Sequence, residues 1–306
     1  MENNNNQELK TAIKYMLIAS ILFAITGAFA KVLSEHISSV EIVFFRNITG
    51  FIIISYAIYK VPVIQIGGKP LLLFARGFIG MTALLMYFYN IANIPLAEAQ
   101  TFTKTSPIFT AIFSYYLLNE KLSLRAWSGI FVGFIGIIFI TGFDVSGLSK
   151  TDYLGILSGV GAGLAYTSIR ELKKYYDTRI IVLSFMSMGT FGPLLIMILG
   201  NFYSSNQYDF FLASFIMPTG YDWLYILGLG LSATISQYTM TKAYSLAKGG
   251  IVGTIGYTNI IFSIFLGVAL GDSFPTLYIV IGIILVILSG ILVSYTKKLN
   301  TKVPNE

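Results

Sequence analysis

Three basic side chains stand inside long apolar runs: Lys31, Arg46 and Lys104. A charge at the centre of a membrane helix costs at least about 2.5–3.5 kcal/mol, so it normally faces a cavity or a partner. At 1.5 Å per helical residue, Lys104 lies about 10 Å into its run and Arg46 about 9 Å. Lys31 lies nearer the end of the first run, where its ammonium can snorkel outward. Such groups hold carboxylates or phosphates through charge-assisted hydrogen bonds. Gln100, Thr101, Lys104 and Ile108 follow one another at helical spacing, with Thr103 and Ser106 close by. The alternative for Lys104 is an ion pair with Glu98, or snorkelling. For Arg46 it is a pair with Glu41 or a helix-end anchor.

Other polar residues mark candidate cavity faces. Arg76 opens a face that continues through Gly80, Ala83, Tyr87 and Asn90, and Arg170 closes one with Gly159, Gly163 and Tyr166. Both arginines fall near the end where basic residues gather, so each either snorkels or lines an inner vestibule or gate. Tyr87, Asn90 and Tyr166 are candidate ligand contacts, because a polar tip facing lipid is costly. Gln237, Tyr257 and Asn259 are the corresponding candidates late in the chain, with helix–helix hydrogen bonding as the alternative.

What is missing narrows the chemistry. Cysteine is absent and His36 is the single histidine. Thiol catalysis, disulfides and His- or Cys-based metal sites are therefore excluded, and no metal or cofactor is expected. Glu35, Glu41, Glu98, Glu120 and Asp272 all fall at the ends of apolar runs. No carboxylate stands mid-run to take a cation or a proton in turn, which favours anionic or zwitterionic ligands. No GxxxxGK[ST] segment offers nucleotide-driven work.

The elements that must position these residues are membrane helices. Hydrophobic residues make up 55% of the 306 residues and charged ones 11%, against about 25% charged in a soluble domain. That rules out a soluble enzyme or a nucleic-acid-binding protein. Ten runs are long enough to span the hydrocarbon core: 12–33, 40–60, 70–92, 97–118, 124–143, 153–173, 179–200, 221–242, 248–270 and 275–295. The first, with Lys10 and Lys14 before it and Ala28-Phe29-Ala30 at its end, has the outline of a signal peptide, but it is long enough to span and completes the count.

The segment Phe113 to Glu120 can be laid on Phe265 to Asp272, and Tyr87 to Ala92 on Tyr238 to Ala243. Five runs in each half, 12–143 and 153–295, put the halves in opposite orientations, which predicts an all-α membrane protein of ten transmembrane helices arranged as two inverted five-helix repeats. Lys60, Lys69, Lys121, Arg125, Lys173, Lys174, Arg179, Lys242, Lys248, Lys297, Lys298 and Lys302 fall on one side, against Lys150 in the loops of the other. The basic side is cytoplasmic, so both termini are expected there. Gly129 and Gly133 form a GxxxG pattern that fits packing within the chain or a homodimer contact.

The stretches Ala97-Glu98-Ala99-Gln100, Ser106-Pro107-Ile108-Phe109-Thr110-Ala111 and Leu118-Asn119-Glu120 resemble the fourth-helix signature of EamA-type proteins of the drug/metabolite transporter (DMT) superfamily. Phe44-Phe45-Arg46 and Ala75-Arg76-Gly77 match the same pattern. In the second half Asn259 stands where the first half has Pro107. The resemblance implies a secondary active transporter of the cytoplasmic (inner) membrane that moves a small metabolite by alternating access. It also implies a cavity lined mainly by helices 1, 3, 4, 6, 8 and 9. Lys104 departs from the apolar or aromatic residue common at its position. The Phe-Phe-Arg and Arg-Gly elements are also similar to those of S-adenosylmethionine uptake carriers, which makes a nucleoside-like substrate the alternative. A channel or a non-transporting scaffold is the alternative of a different class.

Overall fold

Local sequence signals start and stop the helices where they are found in a computed structural model, which describes residues 2–63, 67–118, 122–140, 147–202, 210–247 and 249–294. Asn119, Glu120, Lys121, Lys248, Lys297, Lys298 and Lys302, used above for orientation and resemblance, lie outside the described residues. The helical segments are α1 Glu2–Leu33, α2 Ser39–Lys60, α3 Pro70–Asn93, α4 Leu96–Thr103, α5 Ser106–Leu118, α6 Leu124–Ile140, α7 Lys150–Leu172, α8 Thr178–Gly200, α9 Asp222–Leu246, α10 Gly249–Gly256, α11 Thr258–Ala269 and α12 Leu277–Ser294. Capping boxes start α2, through Ser38 and Glu41, and α7, through Ser149 and Asp152. Each satisfies otherwise orphaned N–H groups. Pro70 opens α3, where its missing N–H costs nothing.

Two of the expected spans are broken rods, which corrects the continuous helices read for 97–118 and 248–270. The first divides into α4 and α5 at Lys104-Thr105. Pro107 has no N–H to bond back toward the preceding turn, so the helix restarts with the proline in its first turn. The Oγ1 atoms of Thr103 and Thr105 donate to the carbonyls of Gln100 and Phe102 at 2.8 and 2.6 Å. The second divides into α10 and α11 at Tyr257, without a proline. There Thr258 Oγ1 donates to Ile255 O at 2.8 Å, and Asn259 Nδ2 to Ser20 O of α1 at 2.9 Å. The breaks are neighbours, since a Cβ added to Gly253 would sit 3.1 Å from Pro107 Cγ.

Among the described residues, the helices Gln7–Leu33, Ser39–Lys60, Pro70–Asn93 and Thr178–Gly200 are long and apolar enough to cross a membrane by themselves. α9 is as long but polar, burying Ser232, Thr234, Ser236, Gln237, Thr239 and Thr241. Its hydroxyls donate to carbonyls of its own preceding turn, for example Thr234 to Gly230 O at 2.6 Å and Thr241 to Gln237 O at 2.8 Å. The neighbours that bury it are α1 and α2. Phe131, Leu195 and Phe265 stand exposed on the outside of the bundle, as an apolar solvent requires.

Polar ties gather at two opposite ends. At one, Lys31 of α1 meets Asp272 after α11 at 3.2 Å, His36 Nδ1 meets Asp222 of α9 at 2.8 Å, and Asn90 of α3 donates to Thr151 O of α7 at 2.9 Å. At the other, Arg179 donates to Val61 O at 2.7 Å, Gly67 N to Tyr175 O at 2.9 Å, and Lys173 to Ser245 O. α1 therefore ends where α7 begins. Of the GxxxG pair, Gly133 faces inside the chain, as does Gly136: Cβ atoms on them would meet Ser289 and Val286 of α12.

Candidate functional site

A cavity of about 90 Å³ lies at the centre of the bundle, lined by residues of α1, α2, α3, α4, α7, α8 and α9 together with Lys104 at the helix break. Arg46, Arg76, Tyr87, Gln100, Lys104, Tyr166 and Gln237 all line it, joined by Phe23, Thr103, Ser158 and Phe185. The second and seventh spans, α2 and α8, contribute to it and the ninth span does not, unlike the lining implied by the resemblance.

Arg46 and Arg76 are 1% and 2% exposed. Arg46 donates to Asn47 Oδ1 at 2.9 Å and to Gln237 Oε1 at 3.4 Å. Asn47 is itself fixed by donating to Val43 O at 2.7 Å. Phe185 is shared by both guanidiniums, whose Cζ atoms lie 5.4 Å (Arg46) and 4.8 Å (Arg76) from its ring centroid. Gly80 lets Arg76 and Phe185 close in, since a Cβ there would fall 2.6 Å from Arg76 Nη1.

Neither arginine has a carboxylate partner among the described residues. Glu41, the partner weighed for Arg46, is occupied elsewhere: it accepts from Ser38 N at 3.0 Å and from Ile216 N at 2.8 Å. Lys104 makes no pair with Glu98; its ammonium lies 5.9 Å from the Phe23 ring centroid. It follows the last turn of α4, where carbonyl ends favour a cation. Among the described residues, no Asp or Glu lines the cavity. An anion entering it would meet several N–H donors in a medium where electrostatic attraction is strong.

A second cavity of about 680 Å³ opens toward Lys69, lined by residues of α3, α5 and α7 that include Arg170, Glu171, and with them Lys174. Arg76 and Ala165 line both cavities. Lys174 pairs with Glu171 at 2.6 Å, and this hydrogen bond holds its pKa above the usual lysine value. Arg76 thus stands between the two spaces and Arg170 stands in the larger one.

Five of the expected ligand contacts are placed elsewhere. Lys31 bonds to Asp272 and to Ile94 O at 2.9 Å, clamping the far end. Asn90 ties α3 to α7, and Asn259 ties α11 to α1. Thr101 donates to Ala97 O of its own helix at 2.7 Å. Tyr257 packs in the apolar cluster with Phe102, Ile260 and Val286. The chain turns at Lys104-Thr105, so the face drawn through Gln100, Thr101, Lys104 and Ile108 does not stay one face. Phe185 was not anticipated, and no pattern in the sequence distinguishes it among 24 phenylalanines.

The profile of the EamA-like transporter family matches this chain twice, over residues 10–142 and 149–295. The chain belongs to that family. The transporter is 34% identical to an uncharacterized transporter of Helicobacter pylori over 287 residues, covering 92% of this chain and 94% of that one. It is 30% identical to the pseudopaline exporter CntI of Pseudomonas aeruginosa over 293 residues, covering 95% and 98%. A solved protein crystal structure shares its fold with a TM-score of 0.58 at 18% identity, covering 95% of the transporter and 96% of that chain. The transporter is accordingly a multi-pass membrane protein that handles a small molecule, and its family is one of transporters rather than enzymes.

Proposed function

We propose that this transporter moves a small anionic or zwitterionic metabolite, such as an amino acid or a carboxylate, across the cytoplasmic membrane by alternating access. The two halves, 12–143 and 153–295, act as inverted repeats that rock about the central cavity. Three features support this. The first helices of the halves run in opposite directions. The packing of α1 on α9 and α11 has its counterpart in that of α7 on α3 and α5. Both halves carry a broken helix as their fourth span, the kind of discontinuity found at transporter binding sites. The end bearing Lys69, Lys173 and Arg179 is the cytoplasmic one by its basic content, and both termini belong there. The far end is clamped while the larger cavity adjoins the cytoplasmic end, so the state described faces inward. Gly133 and Gly136 of α6 pack against α12 within the chain, which favours a monomer as the working unit.

One observation carries the substrate class: two fully buried guanidiniums line a central cavity in which, among the described residues, there is no acid. Burying an unpaired charge costs several kcal/mol, and an anionic ligand offsets that cost. The second reading is a nucleoside-like substrate such as S-adenosylmethionine. It is favoured by the aromatic rings of Phe23, Tyr87 and Tyr166 in the lining, and disfavoured by the lack, among the described residues, of a carboxylate there to meet a sulfonium.

Thermal unfolding of the purified protein, read against carboxylates, phosphate, amino acids and cationic amines, tests the assignment. A ligand that binds only the folded state at 100 times its Kd adds about 2.7 kcal/mol. Anions or zwitterions should raise the melting temperature. Stabilisation by cations alone would overturn the proposal, and stabilisation by S-adenosylmethionine alone would select the second reading.

A further inference from the structure

The positive charge of the central cavity is divided between two separate poles. At one, Arg46 and Arg76 share the Phe185 ring, their Cζ atoms 5.4 and 4.8 Å from its centroid. At the second, Lys104 lies against a different ring, Phe23 of α1, and among the described residues α1 is not packed closely on α8, the helix that carries Phe185. Each pole also contains a buried donor with no acceptor: Arg76 Nε at the first, and Gln100 Nε2, one helical turn before Lys104, at the second. Gln100 is 2% exposed and lines the cavity. The rest of the lining is neutral, made of Gly80, Ala83, Ala162, Ser158 and the two tyrosines among others.

A single anionic group can satisfy only one pole and leaves the other buried and unpaired. A zwitterion is worse matched, because its ammonium finds a cation at either pole and no acid among the described lining residues. A ligand with two separated anionic groups satisfies both poles and both orphaned donors. We propose that the cavity takes a small dianion with separated charges, such as a dicarboxylate, with one anionic group held by Arg46 and Arg76 and the other by Lys104 and Gln100. This rests on the anion assignment above and narrows it.

Isothermal calorimetry on the full-length protein in detergent tests it with matched pairs: succinate against butyrate, and glutarate against valerate. In the unaltered protein the dicarboxylate should bind at least about tenfold more tightly than its monocarboxylate partner, as one extra charge-assisted hydrogen bond predicts. Lys104→Met should collapse that ratio to about one, and Lys104→Arg should restore it. Equal affinities within each pair would overturn the dianion proposal and leave the anion assignment standing. So would a ratio that persists in Lys104→Met. Failure of every carboxylate to bind would overturn both. The comparison within the unaltered protein needs no variant to fold.

Discussion

Replacing Arg76 with methionine should make the ligand-free protein more stable while removing its response to anions. Arg76 is 2% exposed, its Nε has no hydrogen-bond partner, and its Cζ lies 4.8 Å from the Phe185 ring centroid. The substitution therefore removes mainly a cation–π interaction, worth about 2 kcal/mol when desolvated. The cost relieved is the burial of an unpaired ion, which amounts to several kcal/mol after relaxation. Methionine also keeps most of the aliphatic volume and adapts to irregular space. A net gain of about 1–4 kcal/mol is expected, the range seen when buried ions give way to packed apolar residues. Thermal and denaturant unfolding in low-salt buffer would measure it, each repeated with a saturating anion. The unaltered protein should respond to the anion and Arg76→Met should not. A variant several kcal/mol less stable without ligand would refute the reasoning, because that is the signature of breaking a satisfied pair.

Other perturbations probe the parts that hold the cavity. Asp272 accepts from Leu96 N at 2.7 Å and pairs with Lys31 at 3.2 Å. Asp272→Ala should cost about 1–3 kcal/mol for the orphaned donors and raise labelling, from the outer side, of a cysteine placed at Thr103; unchanged labelling would show that this clamp does not close the outer end. A Cβ on Gly159 would lie 2.8 Å from Phe102 O at the break between α4 and α5. Gly159→Ala should destabilise by about 1–3 kcal/mol through overpacking, read as a lower melting temperature. Gln237 accepts from Arg46 at 3.4 Å; Gln237→Leu should weaken anion affinity by about tenfold, measured by calorimetry.

The sequence made the helical class legible, because apolar length and basic asymmetry depend only on order along the chain. It also singled out Lys31, Arg46 and Lys104, since charges in apolar runs stand out wherever they point, but Lys31 closes the far end, and Arg76, read as a snorkelling or vestibule residue, lines the central cavity. Facing was harder to read. Asn90, Tyr257 and Asn259 have the same sequence signature as Tyr87, Tyr166 and Gln237, yet the first three meet neighbouring helices and the others meet the cavity. That difference is set by the rotation of each helix against partners distant in sequence. The break after Thr103 had a local cause in Pro107, whereas the break at Tyr257 depends on Asn259 reaching Ser20 O across to α1. Phe185 owes its place between two arginines to the packing of α8 on α2 and α3, which no local pattern encodes.

The central claim is most directly tested by flux in proteoliposomes containing the purified transporter and labelled succinate. Saturable uptake that protein-free vesicles lack, is competed by unlabelled dicarboxylates but not by cationic amines, and is lost in Arg76→Met is the predicted result. Uptake that is absent, unsaturable, or unchanged in Arg76→Met would contradict the account.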